Sequence, residues 1–153
     1  MAVIISFVLG ACKVPEKYSK LTKEYLTKYN QCAAEGDWDK GKEYLVKLIN
    51  LKEVDSEAIV SFIKSNETDE ALCCNAIEIM GDAGPGSGKK CVKALVTLME
   101  METNINIKTS IIYSLGKLKS RQSVEPLKKL LDNDTWSIRI MAEDALKNIN
   151  NKK

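Results

Sequence analysis

The chain has 153 residues, of which 44% are hydrophobic, so it is long and apolar enough to bury the core of one ordinary domain. Its 23 basic and 21 acidic side chains leave a net charge of +2, which gives no electrostatic reason to expect a nucleic-acid partner. Histidine is absent, which argues against hydrolase triads and zinc-enzyme sites, and we expect a non-catalytic protein without a metal ion or cofactor.

The first eleven residues form an uncharged apolar run, and the composition changes sharply at Lys13. The run is too short to span a bilayer, which takes about 20 apolar residues, but it suits the apolar region of a signal peptide. It ends in Leu9-Gly10-Ala11-Cys12, which resembles the bacterial lipobox. In that motif the peptidase cleaves before the cysteine, and lipid is attached to its sulfur. The resemblance implies lipidation at Cys12 and a place in the bacterial cell envelope, on its periplasmic or surface face.

The apolar run lacks the preceding Lys or Arg of a typical signal peptide. Either the gene starts further upstream, or the run is an apolar helix that caps the fold of a cytoplasmic protein. With a signal peptide at residues 1–11, we predict a polar tether at 12–20 and an irregular helical region at 21–68. Within that region, residues 34–41 resemble the turn between the two antiparallel helices of a tetratricopeptide repeat, although Gly41 stands where that family prefers Ala.

Two apolar helix patterns alternate along the rest of the chain. The first has apolar or small residues at i, i+4, i+7, i+8 and i+11, which is one face of an α-helix. Its three copies begin at Leu72, Ile107 and Ile138. The copies of the second pattern begin at Ala58, Ala94 and Pro126. A two-helix unit that recurs every thirty-odd residues is typical of a helical solenoid, in which each repeat packs on its neighbours.

The last unit resembles the HEAT-like repeats, including the short kind first described in phycobilisome lyases. An acidic turn, an Ile-Arg pair and a small-residue helix carry the resemblance: Asp132, Asp134, Ile138-Arg139, Ala142, Ala145-Leu146 and Ile149. The preceding unit keeps Leu115-Gly116 and has Lys108 in the arginine's place. The resemblance covers about residues 70–150, and we assign HEAT-like repeats to 69–153. It implies an all-α right-handed superhelix, a HEAT-like solenoid of about eight helices.

Asp132, Asp134 and Arg139 contain the groups for acid–base chemistry, but helix capping and packing explain them more simply. We expect Asp134 or Thr135 to cap the last helix. Arg139 and Lys108 are expected to form an inner charged ladder between successive repeats. Trp136 is close to Arg139 in the last repeat and is the best single candidate for an exposed contact residue. Alternatively, the same tryptophan could cover apolar surface at the end of the solenoid. The predicted partner-binding residues are therefore Trp136, Arg139 and Lys108.

The segment at 84–89, Gly-Pro-Gly-Ser-Gly-Lys, resembles the phosphate-binding loop of adenylate-kinase-like enzymes. Such a loop needs a strand before it, a glycine where Ala83 stands, and a Ser or Thr where Lys90 stands. Residues 72–83 have helical spacing instead, and no second strand ending in an acid follows. We interpret the segment as a flexible turn between helices that can contact a partner, and we expect no nucleotide to bind.

Lipidation of Cys12 would leave four of the five cysteines, Cys32, Cys73, Cys74 and Cys91. Outside the cytoplasm an even number permits disulfides. The candidate bridge joins Cys73 or Cys74 to Cys91, and buried free thiols are the alternative. No metal site is expected, because there is no histidine and no CxxC pair.

The predicted function is that of a non-catalytic scaffold, tethered to the membrane by lipid, that binds another protein or peptide. Solenoids present long shallow surfaces, which suit a peptide or helix better than a small substrate. The resemblance to phycobilisome lyases offers one alternative, a protein that holds a bilin chromophore. A soluble cytoplasmic HEAT-repeat scaffold is the other, with residues 1–12 forming part of the fold.

Overall fold

The fold consists of α-helices joined by short connections. The computed structural model describes residues 14–51, 53–83 and 88–151. These residues form eight α-helices: α1 (Glu16–Glu35), α2 (Trp38–Ile49), α3 (Ser56–Ser65), α4 (Glu70–Gly81), α5 (Gly88–Met101), α6 (Ile105–Leu118), α7 (Val124–Lys128) and α8 (Trp136–Asn150). A 3₁₀ turn at Arg121–Ser123 leads into α7. The all-α class and the predicted number of helices are confirmed.

The starts of the helices are set by short polar side chains. The Asp55 carboxylate accepts bonds from the backbone N–H groups of Glu57 and Ala58 at the start of α3. Asp69 caps α4 in the same way through Leu72 N–H, and Asn104 caps α6. Such caps satisfy backbone donors that have no partner inside the helix. Each apolar helix pattern therefore begins at a defined residue.

Odd-numbered and even-numbered helices form two layers. Helices α1 and α2 are antiparallel, because Gly41 lies against Tyr29 while Tyr44 lies near Tyr25. Helices α4 and α6 are parallel neighbours, as are α6 and α8, and α1 packs beside α3. The beginnings of the odd helices and the ends of the even helices thus lie along one edge, which we call the lower edge. The ends of the odd helices and the beginnings of the even helices form the upper edge.

Small residues bring the even-numbered helices close together. A Cβ atom on Gly81 of α4 would lie 2.8 Å from both the Cβ and the Oγ of Ser114 in α6. A Cβ atom on Gly116 of α6 would lie 3.0 Å from the Cα of Ala145 in α8. The second contact repeats the first one unit further along the chain. The residue of α8 that is equivalent to Gly116 is Lys147, because it follows Ala145 as Gly116 follows Ser114. Helix α8 therefore lacks the glycine that would let a further helix approach closely.

Helix α1 is fixed to the repeats by polar contacts. The Ser19 hydroxyl donates to the Asp55 carboxylate, and the Thr22 hydroxyl accepts from Asp55 N–H at 3.2 Å. The side-chain amide of Asn75 in α4 donates to the buried Tyr29 hydroxyl at 2.6 Å. Because its first turns are held on α3, α1 already begins at Glu16. The predicted tether at 12–20 is therefore wrong for residues 16–20. Of its other residues, only 14 and 15 are described, and the predicted signal peptide at 1–11 lies outside the described residues.

One continuous apolar core runs from α1 to α8. Leu48, Ile59, Ile77, Leu95 and Ile111 are among its fully buried side chains. None of the described helices combines the length and the apolar character needed to cross a membrane.

The four cysteines that the structure describes are free thiols. The predicted pairing of Cys73 or Cys74 with Cys91 is not formed, because the two neighbours are engaged elsewhere. Cys73 donates to the carbonyl oxygens of Ile63 and Asn66, and half-buried Cys74 accepts from the Ser110 hydroxyl. Burial raises the pKa of the Cys91 thiol to about 12, in spite of an opposing effect of Lys90.

Replacing Gly81 by valine is expected to destabilise the fold by about 1–3 kcal/mol, because the new side chain collides with α6. Urea denaturation followed by circular dichroism measures the change. Gly88→Val is the matched control, since a Cβ atom at Gly88 meets nothing within 4 Å. Equal stability of the two variants would contradict the close packing of α4 on α6.

We expect Cys74 to react first with iodoacetamide in a folded Cys12→Ala chain at pH 8. Cys32, Cys73 and Cys91 are buried, and the raised pKa values of Cys73 and Cys91 keep these two as neutral thiols at that pH. Peptide mapping by mass spectrometry locates the label, and unfolding in urea should expose all four. A mass two units lower under non-reducing conditions would instead show a disulfide.

Candidate interaction surface

Four exposed apolar side chains lie on the upper edge. Trp38 begins α2 and is 48% exposed. Met101 ends α5 and is 58% exposed, while Ile105 begins α6 and is 46% exposed. Trp136 begins α8 and is 67% exposed. Ile105 and Trp136 occupy equivalent positions in their repeats, because each is the first residue of an even-numbered helix. Since α6 and α8 pack as parallel neighbours, their first residues lie about one helix spacing, roughly 8–10 Å, apart.

A hydrogen-bonded network orders the connection that carries Ile105. The Asn104 side chain caps α6 by accepting from Asn106 and Ile107 N–H, and its amide donates to Glu70 at 3.1 Å. The Asn106 amide donates to the other Glu70 oxygen at 2.9 Å. Glu102 accepts from Asn104 N–H at 2.7 Å. This network links the start of α4 to the start of α6 and holds Ile105 towards solvent.

Carboxylates surround the apolar side chains on this edge. They lie at the start of α4, at the end of α5 and in the connections that follow α3, α5 and α7: Glu67, Asp69, Glu70, Glu100, Glu102, Asp132 and Asp134. None of them forms an ion pair with another described residue. Burial raises the pKa of the nearby Cys73 thiol to about 11, and Cys74, Asp69, Glu102 and Glu67 reinforce this shift. The upper edge therefore carries exposed apolar side chains with carboxylates that form no ion pairs among them.

The predicted contact residues take different roles in the structure. Trp136 is exposed, as predicted. The Arg139 guanidinium donates to the carbonyl oxygens of Asn133 and Asp134, at 2.6 and 3.0 Å. Half-buried Lys108 forms no ion pair within the described part of the chain. The predicted ladder of Arg139 and Lys108 is therefore wrong, because Arg139 closes the turn of its own repeat.

The start of α8 also differs from the prediction. Thr135 stands at the N-cap position, but its side chain makes no capping bond. Instead, the Asn133 side chain accepts from Thr135 N–H at 3.0 Å, and Arg139 bonds the carbonyl groups of the same turn. Both sets of hydrogen bonds stabilise the turn that precedes α8, and this turn positions Trp136 on the upper edge.

Sequence reasoning missed Met101 and Ile105 as exposed residues. A weak signal was present, since Ile105 stands two positions before the first core residue Ile107, as Trp136 does before Ile138. No such signal marked the carboxylates as a group, because they are spread from residue 67 to residue 134 and come together only through the stacking of the repeats.

Within the described residues, no three Cys, Asp or Glu side chains gather as a possible metal site. Residues 84–87 of the glycine-rich segment lie outside the described part. The segment before it is the helix α4, where a phosphate-binding loop would need a strand.

A family model of HEAT repeats matches residues 56–147, which is more than half of the chain. A comparison with curated proteins gave no match. The matched residues begin at the start of α3 and end in α8, so the family extends further towards the N-terminus than the boundary predicted at 69. Repeats of this family form helical scaffolds that typically mediate protein–protein interactions. With its paired helices in two layers and its matched repeats, the chain belongs to the HEAT-repeat family.

Proposed function

We propose that this HEAT-repeat chain is a non-catalytic adaptor, tethered to a bacterial envelope membrane through Cys12, that binds another protein along its upper edge. The observation that carries the binding proposal is the row formed by Met101, Ile105 and Trp136, exposed among carboxylates without ion pairs. The tether is supported by the sequence Leu9-Gly10-Ala11-Cys12, which lies outside the described residues.

The chemistry of the edge defines the partner. Aromatic side chains and Met are enriched in the buried cores of interfaces, and Trp is among the residues that contribute most to binding there. The surrounding carboxylates favour Lys and Arg on the partner, which would speed association and set its orientation. We infer a partner segment that carries apolar side chains flanked by basic ones, presented as a helix or an extended peptide.

The order of the edge before binding supports this role. Ile105 is held by the Glu70–Asn104–Asn106 network, and Trp136 follows a turn that Arg139 closes. Side chains on fixed helix starts lose less conformational freedom on binding than side chains on loose loops. The two anchors thus form a preorganised pair.

Expression of the full chain in a bacterium is expected to give a shortened, triacylated species in the membrane fraction. Cleavage before Cys12 removes residues 1–11, and the lipid is attached to the new first residue. Intact-mass spectrometry of wild type and Cys12→Ala measures this, and the mutant should lack the lipid mass. A full-length, unmodified soluble protein would refute the tether and favour the cytoplasmic scaffold.

A photo-crosslinking phenylalanine analogue at position 105 or 136 is expected to give one discrete protein adduct in the native cell. Lys23 is exposed in the middle of α1, and the analogue at this position should give no such adduct. With the analogue at position 136, Ile105→Lys should reduce the adduct about tenfold, because it removes an apolar contact and repels a basic partner. Equal adducts at 23 and 136 would place the interface elsewhere.

A further inference from the structure

Basic side chains gather on the lower edge, at the start of α5 and at and after the end of α6. They are Lys89, Lys90, Lys117, Lys119 and Arg121. Asp82 lies among them and pairs with Lys117 at 2.5 Å. The other four basic residues form no ion pair with any described residue. We call these five residues the basic cluster.

Most side chains of the basic cluster are exposed to solvent. Lys89 of α5, Lys117 of α6 and Ser120 line one cleft of about 420 Å³, together with Gly81 at the end of α4. Lys89, Lys119 and Arg121 are exposed. Their charges are therefore accessible to an anionic surface.

The start of α1 lies on the same edge. The contact of Ser19 with Asp55 places the first turn of α1 beside the start of α3, at the edge where α5 also starts. Cys12 precedes Glu16 by four residues, and four residues span at most about 14 Å. A lipid on Cys12 would therefore bring the lower edge, including the basic cluster, to the bilayer surface.

We propose that the basic cluster binds anionic lipid head groups, so that the lower edge lies on the membrane. This inference rests on the proposed tether for its orientation. A lipid anchor and a polybasic patch act as two signals whose membrane affinities combine, and each Lys or Arg near an anionic leaflet contributes about 1 kcal/mol, a factor of about five in affinity.

The charge distribution favours one orientation on the membrane. The upper edge carries carboxylates without ion pairs, which an anionic surface repels. On the lower edge, carboxylates lie at the starts of α1 and α3, and the basic cluster lies at the start of α5 and the end of α6. Helix α6 has 14 residues, so the two edges are about 21 Å apart. In this orientation Ile105 and Trp136 point away from the bilayer, where a partner protein can reach them.

Vesicle cosedimentation of the full-length Cys12→Ala chain tests the cluster without any attached lipid. We expect binding to vesicles of phosphatidylcholine with phosphatidylglycerol, weakening as salt is added, and no binding to pure phosphatidylcholine. The variant Lys89→Glu/Lys119→Glu/Arg121→Glu should bind the anionic vesicles about 100-fold more weakly, from about fivefold per basic residue.

The matched control is Lys40→Glu/Lys64→Glu/Lys129→Glu, which changes the net charge by the same amount on the upper edge. It should bind within about twofold of the parent, given that charges a helix length away are largely screened. Circular dichroism confirms that both variants fold. Because the tested chain carries no lipid, its binding and the lipidation seen by intact mass are separate results.

Three outcomes would overturn the proposal. The first is equal binding to neutral and anionic vesicles, and the second is equal loss of binding in the two triple variants. The third is binding of a duplex oligonucleotide without binding of anionic vesicles, which would make the lower edge a nucleic-acid surface.

Discussion

The close approach of α4, α6 and α8 is the constraint on which the rest of the structure depends. Gly81 and Gly116 leave room for Ser114 and Ala145 of the next helix, and a larger side chain at either glycine would push the helices apart. Because the contact recurs once per repeat, it fixes the register of the even-numbered layer. That register places the first residues of α6 and α8 side by side, so an exposed isoleucine and an exposed tryptophan far apart in sequence become neighbours.

The same register sorts the charges. In the sequence, acidic and basic residues alternate with little pattern, and the net charge of +2 suggests a nearly neutral surface. Stacking parallel helices collects the residues at equivalent ends, so that carboxylates meet on the upper edge and lysines on the lower edge near α5 and α6. The chain therefore presents a group of carboxylates and a group of basic side chains at opposite ends of the same helices, each suited to a different partner.

Much of the fold could be predicted from the sequence, and less of the candidate site. The positions beginning at Leu72, Ile107 and Ile138 give the helices, the repeat and the family, since apolar periodicity directly reflects burial. Arg139 was misassigned, because periodicity shows which side of a helix is buried but not which carbonyl group a long side chain reaches. For a similar reason, the sequence did not decide between a disulfide and free thiols. The contacts of Cys73 with the end of α3 depend on the conformation of the turn before α4. In the N-terminal pair, Tyr29 is buried and bonded to Asn75 of α4, a contact that its spacing in the sequence does not show.

Lys147 has a consequence for the behaviour of the protein in concentrated solution. A helical solenoid ends in an open flank, and identical copies that stack flank to flank would grow into filaments, because a head-to-tail contact does not close on itself. A long charged side chain at the position where the array needs glycine prevents another helix from seating against α8 at the internal spacing. At this position α8 therefore differs from α4 and α6, and a copy of the chain could stack on it only at a wider spacing than the one that packs the interior.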